Sequence, residues 1–589
     1  MIVRIVNLTR EKGMQINSVE FHNYRNLDGL KVHFCRNKSF IIGENGIGKS
    51  NILNAFSKIF VYGRFLNGDF FDENQKIAIK LELGLLEEEI GSFEEYTDPK
   101  DSRKVNLLIE QEYWDFSFKV YHLESKEEIP SKLLKNVIYV YYDSLRNPKT
   151  ELSFEKEKGS GCFLNYLVKK FLNEKKETDS TYIEKEKLSD VVAFINDNID
   201  SIRVAHRNKI KVDFDSDNMV FLNSIFSLYD SRNIELKKSG YGIQFNLLVI
   251  FSLFEKIIDI VEHARKTGLE IKKINCVLAF DEPEIHLHPF AQRSLIKDLS
   301  DLANGKDTGF NNVILKLFGI ESFSAQLIIV SHSDRIITGS YENIVRIYSN
   351  NEKILSISGM EIEQENGINK DNEKHLQKQF SYFTEALFAR KVIFVEGESE
   401  LGALTVFAKT LNIDLDAIGV SIINTGGESS MLPLIDIFTL FKIECVGVKD
   451  RDVYMAASET IIPSNVQKYI NEGRLFLTDK ENFEFEIIES FEVDKLYKLL
   501  SSIDYSFVCV IQKDSMNKFL HKFFPSKEEI ESNIKWEECY TEEDKKLFLV
   551  YALTRIKNIS SGMMLADAIR ADKIPKIYKH VLEKNNGKE

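Results

Sequence analysis

The stretch Phe40–Asn51, FIIGENGIGKSN, carries glycines, a lysine and a serine in the phosphate-binding spacing G-x-x-x-x-G-K-S. A short apolar run, Lys38–Ile42, precedes the glycines, and apolar residues at helical spacing follow from Asn51 to Phe60. Backbone N–H groups in such a turn close on phosphate oxygens, and the helix N-terminus adds partial positive charge. Lys49 would reach the outer phosphates and Ser50 would ligate Mg²⁺. The predicted nucleotide-binding residues are Gly43, Asn45, Gly46, Gly48, Lys49 and Ser50.

Two later strands of buried type end in polar residues that suit the same site. Ile274–Phe280 runs into Asp281-Glu282-Pro283-Glu284, and Gln326–Val330 runs into Ser331-His332-Ser333. Asp281 would hold Mg²⁺ through water, and Glu282 would orient the attacking water. His332 could sense the terminal phosphate; alone, it would be read as a structural histidine.

A glycine-rich turn, Leu236–Gln244, precedes the long apolar helix predicted over Phe245–Ile260. Small residues before a helix can form a second phosphate-binding helix start, with Ser239 and Gly240 at its centre. Taken alone, the turn is more typical of a structural connection.

A second constellation lies in the C-terminal half, where carboxylates follow buried strands. Lys391–Val395 leads into Glu396-Gly397-Glu398-Ser399-Glu400, and Glu444–Val448 leads into Lys449-Asp450-Arg451-Asp452. Clustered carboxylates repel unless cations bind them, and their oxygens suit Mg²⁺ or Mn²⁺. Two pairs, Glu396 with Glu400 and Asp450 with Asp452, predict a two-metal site for attack on a phosphodiester. The alternative is a set of solvated loop acids. We expect Asp450 and Asp452 to project to one side of an extended segment.

The elements around these residues indicate an α/β protein. Met14–Phe34 reads as two strands, and Lys76–Leu83, Val105–Glu112, Phe116–His122 and Val137–Tyr142 are expected in an antiparallel layer beside the nucleotide core. Residues 147–210 have helical spacing and read as a helical insertion, which would pack on the body or pair with a second subunit. In the second half, strands alternate with helices, which predicts a parallel sheet with its site at the strand carboxyl ends.

Length and composition restrict the class of protein further. The 589 residues require two to four domains. No apolar run approaches membrane-spanning length, and the N-terminus lacks a secretory core, so we expect a soluble cytoplasmic protein without membrane contact. The six cysteines are scattered and imply neither a zinc site nor disulfides. The net charge of −14 argues weakly against a nonspecific nucleic-acid coat protein and leaves room for a basic groove.

The order of motifs in the first 350 residues resembles the ATP-binding-cassette ATPases, and more narrowly the RecF-like and SMC-like branch. That class would place ATP and Mg²⁺ between two protomers, with Ser239 and Gly240 closing over the nucleotide of the opposite subunit. Here the signature reads S-G-Y-G-I-Q rather than S-G-G-Q, so this contact is a weaker expectation than the P-loop.

VEGESE, INTGGE and KDRD in the second half resemble a Toprim domain. A RecF-like ATPase followed by Toprim resembles the "overcoming lysogenization defect" (OLD) nucleases, a family that includes the nuclease subunit of the Gabija anti-phage system. The resemblance implies metal-dependent, nucleotide-regulated DNA cleavage or nicking, a homodimer or larger homo-oligomer, and a possible helicase-like partner. It also implies Glu396, Glu400, Asp450 and Asp452 as metal ligands. Glu484 is a candidate for a further acid of the family's site, with Glu481 and Glu486 as rivals. The family also has a basic residue near the end of the chain that can stabilise the pentavalent phosphate, and Lys557 is the candidate for it.

The predicted domains are the ATPase domain in two parts (1–146 and 211–380), the helical insertion (147–210), the Toprim domain (381–503) and a C-terminal helical extension (504–589). Two alternatives remain open at this point. The same metal chemistry would cut RNA such as tRNA, or the chain would be a RecF/SMC-like DNA-binding ATPase whose Toprim domain only scaffolds. Four carboxylates kept together at strand ends argue against a scaffold.

Overall fold

The computed structural model describes residues 14–85, 94–143, 160–174, 185–214, 226–230, 232–238, 241–267, 271–285, 287–350, 353–365, 384–427, 430–456 and 459–585. The chain divides into two compact units, Met1–Asn366 and Gly367–Glu589. No helix in the described part of the chain combines the length and the apolar character needed to cross a bilayer.

Unit 1 contains two six-stranded sheets. Its strands are β1 (Gln15–His22), β2 (Lys31–His33), β3 (Lys38–Gly43), β4 (Ile77–Gly84), β5 (Lys104–Gln111), β6 (Lys119–His122), β7 (Glu128–Ile129), β8 (Ile138–Tyr142), β9 (Lys211–Phe214), β10 (Phe226–Tyr229), β11 (Lys273–Asp281), β12 (Ser322–Val330), β13 (Ile344–Asn350) and β14 (Lys353–Ser358). The antiparallel sheet has the order β2-β1-β4-β5-β6-β7, and the other has the order β14-β13-β3-β12-β11-β8. In the second sheet only β14 runs antiparallel to its neighbour, so the carboxyl ends of β3, β11 and β12 meet at one edge.

The helices of unit 1 pack against these sheets and against one another. They are α1 (Lys49–Ser57), α2 (Ser160–Glu174), α3 (Lys185–Asp200), α4 (Arg203–Asn208), α5 (Tyr241–Thr267), α6 (Pro289–Ala303), α7 (Thr308–Phe318) and α8 (Gly359–Glu365). Helix α1 lies in a core that both sheets share: Phe56 is fully buried and its ring lies 5.8 Å from that of Phe34 and 6.1 Å from that of Tyr139. Burial of this apolar face holds the start of α1 against the edge of the mixed sheet.

The structure bears on two expectations about unit 1. The assignment of Val137–Tyr142 to the antiparallel layer was wrong, because β8 pairs in parallel with β11, with Ile138 opposite Cys276. An aromatic-rich strand satisfies either sheet, so its composition alone could not choose. In the helical segment, α2 packs on the body: the Phe163 ring stacks 4.2 Å from that of Phe254, and Tyr166 lies 5.0 Å from Phe318.

Unit 2 is built on a four-stranded parallel sheet of order β16-β15-β17-β20. Its strands are β15 (Lys391–Val395), β16 (Val420–Asn424), β17 (Glu444–Lys449), β18 (Met455–Ala456), β19 (Glu459–Thr460) and β20 (Leu475–Leu477). Its helices are α9 (Glu398–Thr410), α10 (Leu415–Ile418), α11 (Met431–Leu440), α12 (Ser464–Asn471), α13 (Phe483–Ile488), α14 (Val493–Asp504), α15 (Ser506–Cys509), α16 (Lys513–Phe523), α17 (Glu542–Thr554), α18 (Ile559–Asp567) and α19 (Lys576–Asn585). The predicted alternation of strands and helices is confirmed, as is the helical C-terminal segment.

Helices α9 and α18 cross so closely that a side chain would not fit at the two glycine positions in the contact. A Cβ at Gly402 would collide with the Ile559 carbonyl, and one at Gly562 would collide with the Ser399 carbonyl. The absence of both side chains lets the two backbones touch. The contact places the first turn of α9, with Glu400, beside the segment that carries Lys557.

We expect Gly562→Ala to lower the stability of the protein by about 1–3 kcal/mol, because an added methyl group must push the helices apart. The measurement is the midpoint of urea unfolding, monitored by circular dichroism. Gly68→Ala is the matched control, since nothing lies within 4 Å of that position and its φ is not left-handed. An unchanged midpoint for Gly562→Ala would contradict the close crossing.

Candidate functional sites

The phosphate-binding turn connects β3 to α1 at the edge where the parallel strands end. Gly48 has φ = 105°, a left-handed conformation that favours glycine. The Asn26 and Leu27 side chains fill the space a Cβ would need at this position. Asn26 also donates from Nδ2 to the Ile47 carbonyl at 3.1 Å. The turn between β1 and β2 therefore braces the glycine loop from outside.

Lys49 and Ser50 occupy the first turn of α1. The Lys49 ammonium donates to the carbonyl oxygens of Gly43 at 2.9 Å and Glu44 at 2.7 Å. Burial lowers the pKa of Lys49 to about 8, against the opposing effect of nearby acids. The Ser50 hydroxyl donates to Asp281 Oδ1 at 2.9 Å. Ser50 and Asp281 are thus positioned together and would hold the Mg²⁺ ion of a bound nucleotide.

Asp281 is the last residue of β11, and a tyrosine of β8 contacts its second carboxylate oxygen. The Tyr141 hydroxyl donates to Asp281 Oδ2 at 3.3 Å. Burial raises the pKa of Asp281 to about 6, and the charges of Glu282 and Asp143 add to this. A divalent cation would favour the ionised form of a carboxyl in this environment.

Glu282 and His332 come from neighbouring strands and lie together. His332 Nε2 is 3.4 Å from Glu282 Oε1. Burial lowers the pKa of His332, and the charge of Lys49 acts in the same direction. Glu282 has φ = 49°, a conformation that non-glycine residues adopt at a cost and that is common at functional sites.

Glu284, to which the sequence assigned no role, holds the end of the neighbouring strand. Its Oε1 accepts hydrogen bonds from the Ser331 hydroxyl at 2.6 Å, the His332 N–H at 2.9 Å and the Ser333 N–H at 3.2 Å. Burial raises the pKa of Glu284. The carboxylate thereby fixes the backbone that carries His332. The sequence signal was the second glutamate of D-E-P-E.

Arg25 is another residue that the sequence reasoning missed. Its Nη1 donates to Asn51 Oδ1 at 2.6 Å, and its Nη2 donates to Asp69 Oδ1 at 2.8 Å. The guanidinium thus lies directly beside the phosphate-binding turn.

A cavity of about 490 Å³ lies at the phosphate-binding turn. Its lining is Asn45, Gly46, Gly48, Lys49, Ser50, Asn51, Glu282 and His332. The backbone N–H groups, the Lys49 ammonium and the Ser50 hydroxyl of this lining, with Asp281 hydrogen-bonded to that hydroxyl, fit a nucleotide with its metal ion. Ser239 and Gly240 lie outside the described residues.

In unit 2, Glu396 and Asp450 follow adjacent parallel strands and meet. Phe394 of β15 lies opposite Gly447 of β17. The Asp450 N–H donates to Glu396 Oε2 at 3.3 Å. Asp450 Oδ1 accepts from the Phe483 N–H at 3.0 Å, which ties it to the start of α13.

Asp450 is the centre of the acidic cluster. Burial raises its pKa well above the usual range, and Glu400, Glu484, Glu396 and Asp452 each raise it further. Glu400, in the first turn of α9, is 7% exposed, and burial raises its pKa to about 7, with Glu484 as the largest charge contribution. The sequence-predicted acids therefore share one electrostatic environment.

Among the three rival acids near residue 484, Glu484 has the contacts expected of a site residue. It is 3% exposed, and its Oε1 lies 3.2 Å from Lys557 Nζ. Glu486 instead accepts from the Lys480 N–H, and Glu481 offers its backbone carbonyl to the Asp452 N–H at 2.7 Å. Lys557 is thus beside the acids, as its predicted role requires.

The expectation that Asp450 and Asp452 lie on an extended segment was wrong. Arg451–Tyr454 forms a 3₁₀ turn, because the Arg451 N–H donates to Thr478 and the Asp452 N–H donates to Glu481. The turn sends Asp452 towards α16, where its Oδ2 pairs with Lys522 Nζ at 2.9 Å.

The donor set suits hard divalent cations, although side chains must move to bind them. Within the residues that the structure describes, no three His, Cys, Asp or Glu side chains are close enough to hold one ion together. Glu484 Oε2 is buried without a hydrogen-bond partner in that same part of the chain. An orphaned carboxylate oxygen among acids with raised pKa values fits a cation ligand.

Comparison with known families agrees with this division of the chain. A family model described as an AAA ATPase domain matches residues 14–337, more than half of the sequence. A model described as the TOPRIM domain of overcoming-lysogenization-defect-like proteins matches residues 387–452. The second span contains Glu396, Glu400, Asp450 and Asp452.

Individual relatives are distant. The Old nuclease of Escherichia phage P2 is 19% identical over 566 residues, which cover 86% of this chain and 89% of the relative. The OLD nuclease of Thermus scotoductus is 24% identical over 237 residues, 39% of each chain. The solved C-terminal region of the Burkholderia pseudomallei OLD protein is 18% identical and covers 34% of this chain and 98% of its own, with a TM-score of 0.24. The fold assignment does not depend on this last similarity.

The two family matches and the sheets described above confirm the predicted α/β fold class at the level of an ATPase domain followed by a Toprim domain. The chain belongs to the AAA ATPase-domain family and, with the Toprim domain that follows, is an OLD-family ATPase–Toprim protein.

Proposed function

We propose that this protein is a nucleotide-regulated, divalent-metal-dependent nuclease that hydrolyses phosphodiester bonds of DNA. The observation that carries the proposal is the cluster around Asp450, in which acids from two adjacent strand ends and two helices share one electrostatic environment. The names of the distant relatives, Old nuclease and OLD nuclease, support the same activity.

Each residue of the cluster has a proposed role. Glu396, Glu400, Asp450, Asp452 and Glu484 would hold two Mg²⁺ or Mn²⁺ ions. Bound metal supplies an activated water and stabilises the leaving oxygen. Lys557 would turn from Glu484 towards the phosphate and offset its developing charge. The Phe483 N–H would keep Asp450 oriented during this exchange.

In unit 1, we propose that ATP binds with a Mg²⁺ ion that Ser50 would ligate and Asp281 would hold through water. Glu282 would orient the attacking water, and His332 would sense the terminal phosphate. The S-G-Y-G-I-Q segment supports a homodimer or larger homo-oligomer in which Ser239 and Gly240 meet the nucleotide of another protomer. A cytoplasmic role in anti-phage defence, and a helicase-like partner, complete the proposal and rest on the family resemblance.

A plasmid nicking assay with Mg²⁺ or Mn²⁺, with and without ATP, tests the nuclease. We expect Asp450→Ala to reduce cleavage by about 100-fold or more, because loss of a metal ligand costs at least as much as loss of a residue that orients one. ATP binding should remain.

Asp494→Asn is the control for this variant, since it removes an exposed carboxylate of the same unit that pairs with Lys545. Cleavage retained by Asp450→Ala would refute the assigned site. If wild type cut tRNA but no DNA, the substrate class would be corrected to RNA.

Lys49→Ala should weaken ATP binding by about 10- to 100-fold, because a charge-assisted hydrogen bond to phosphate contributes about 1.5–3 kcal/mol. Isothermal titration with a non-hydrolysable ATP analogue measures the change. Lys76→Ala, at an exposed lysine that pairs with Glu110, should bind as wild type does. Equal affinity for Lys49→Ala would show that nucleotide does not bind at this turn.

Glu284→Ala should lower ATP hydrolysis by about 10- to 100-fold while ATP binding changes little, because a small displacement of His332 disrupts its alignment. Glu284→Gln should recover most of the rate, since its amide oxygen still accepts hydrogen bonds. Glu321→Ala, at an exposed acid 3.9 Å from Lys272, is the control. Normal turnover by Glu284→Ala would exclude the positioning role.

A further inference from the structure

Lys522, like Lys557, forms an ion pair with an acid of the cluster. Lys557 pairs with Glu484, whereas Lys522 pairs with Asp452. Its Nζ lies 2.9 Å from Asp452 Oδ2, and its side chain is 61% exposed, whereas that of Asp452 is 13% exposed. The Lys557–Glu484 pair has the same character, with exposed fractions of 59% and 4%. At each end of the cluster, an accessible lysine therefore covers a nearly buried carboxylate.

The position of Lys522 is fixed by packing rather than by the ion pair alone. It lies on α16, whose Phe519 and Phe523 rings are 6.2 and 5.3 Å from Phe485 of α13. Helix α13 also carries Glu484, and its first N–H donates to Asp450. The same aromatic contact thus anchors α16 to the helix that helps to build the cluster. A surface ion pair by itself contributes little stability, so this packing is what holds the lysine near the acids.

Metal binding would change the partner of Lys522. A divalent cation approaches a carboxylate oxygen to about 2.1–2.6 Å, so a cation on Asp452 would lie close to the ammonium and repel it. The lysine stem is long and flexible, and its head is already exposed. Phosphate oxygens of a bound nucleic acid backbone would then be the anions within its reach, and lysine binds these as a compact point charge.

We propose that Lys522 is a metal-released phosphate-binding residue. It pairs with Asp452 in the metal-free protein and moves to a DNA backbone phosphate when a divalent cation occupies Asp452. This inference rests on the proposed nuclease function and adds a regulatory consequence: metal binding and DNA binding strengthen each other, because each removes a competitor of the other.

The test compares the salt dependence of DNA binding in Ca²⁺ and in EDTA, by fluorescence anisotropy with a labelled duplex. A phosphate contact contributes about one unit to the slope of log affinity against log salt. We expect Lys522→Gln to reduce the magnitude of the slope by about one in Ca²⁺ and to leave it unchanged in EDTA. Lys522→Arg, which keeps the charge, should retain the wild-type slope.

A Mn²⁺ titration without DNA provides the second readout. Lys522→Gln should bind Mn²⁺ several-fold more tightly than wild type, because the competing ammonium is gone. Lys527→Gln is the matched control in both experiments, since Lys527 lies in the same unit and pairs with Glu543 at 2.6 Å.

Equal slope changes in Ca²⁺ and EDTA, no slope change in either, or unaltered Mn²⁺ affinity would overturn the inference. Cleavage by wild type in the plasmid assay reports separately on the proposed function. A nuclease that cuts but whose Lys522→Gln variant has the wild-type slope and Mn²⁺ affinity would refute the role of Lys522 alone.

Discussion

The structure around the carboxyl edge of the Toprim sheet depends on one constraint: the negative charge of several clustered acids must be offset by neighbouring groups. Asp450 lies half-buried among four further acids, and its partial removal from water together with these neighbours opposes its ionisation. The fold offsets the charge with the Phe483 N–H, with Lys522 on helix α16 and with Lys557, which lies between helices α17 and α18. These helices thus contribute to the electrostatics of the site as well as to the packing of the unit.

The two units use the same sheet geometry for opposite charges. In each, side chains gather where parallel strands end, which is where α/β sheets place their ligands. The ATPase edge presents N–H groups and Lys49, and so is prepared for an anion. The Toprim edge presents carboxylates, and so is prepared for cations. At the ATPase edge, the two residues that would hold Mg²⁺, Ser50 and Asp281, are hydrogen-bonded to each other.

The sequence was most informative where function depends on a few consecutive residues. The P-loop strand and the acids after β15 and β17 follow from local patterns, and the structure brings each set together. Contacts between distant segments left no such signal. The sheet of Val137–Tyr142 was misassigned because its partner strand is far along the chain. Glu284 acts through backbone N–H groups about fifty residues away, and Lys522 reaches Asp452 across 70 residues. Neither contact produces a characteristic residue spacing that could be recognised in the sequence.

The contact of α9 with α18 has a mechanical consequence. Where helices touch through long side chains, rotamer changes can absorb a small displacement of one helix before the other moves. Here Gly402 and Gly562 bring backbone against backbone, so there is no such compliance. One helix carries Glu400 in its first turn, and the other begins just after Lys557. A shift of the first turn of α9 would therefore be transmitted almost rigidly to α18 and to the backbone just before it, from which Lys557 extends.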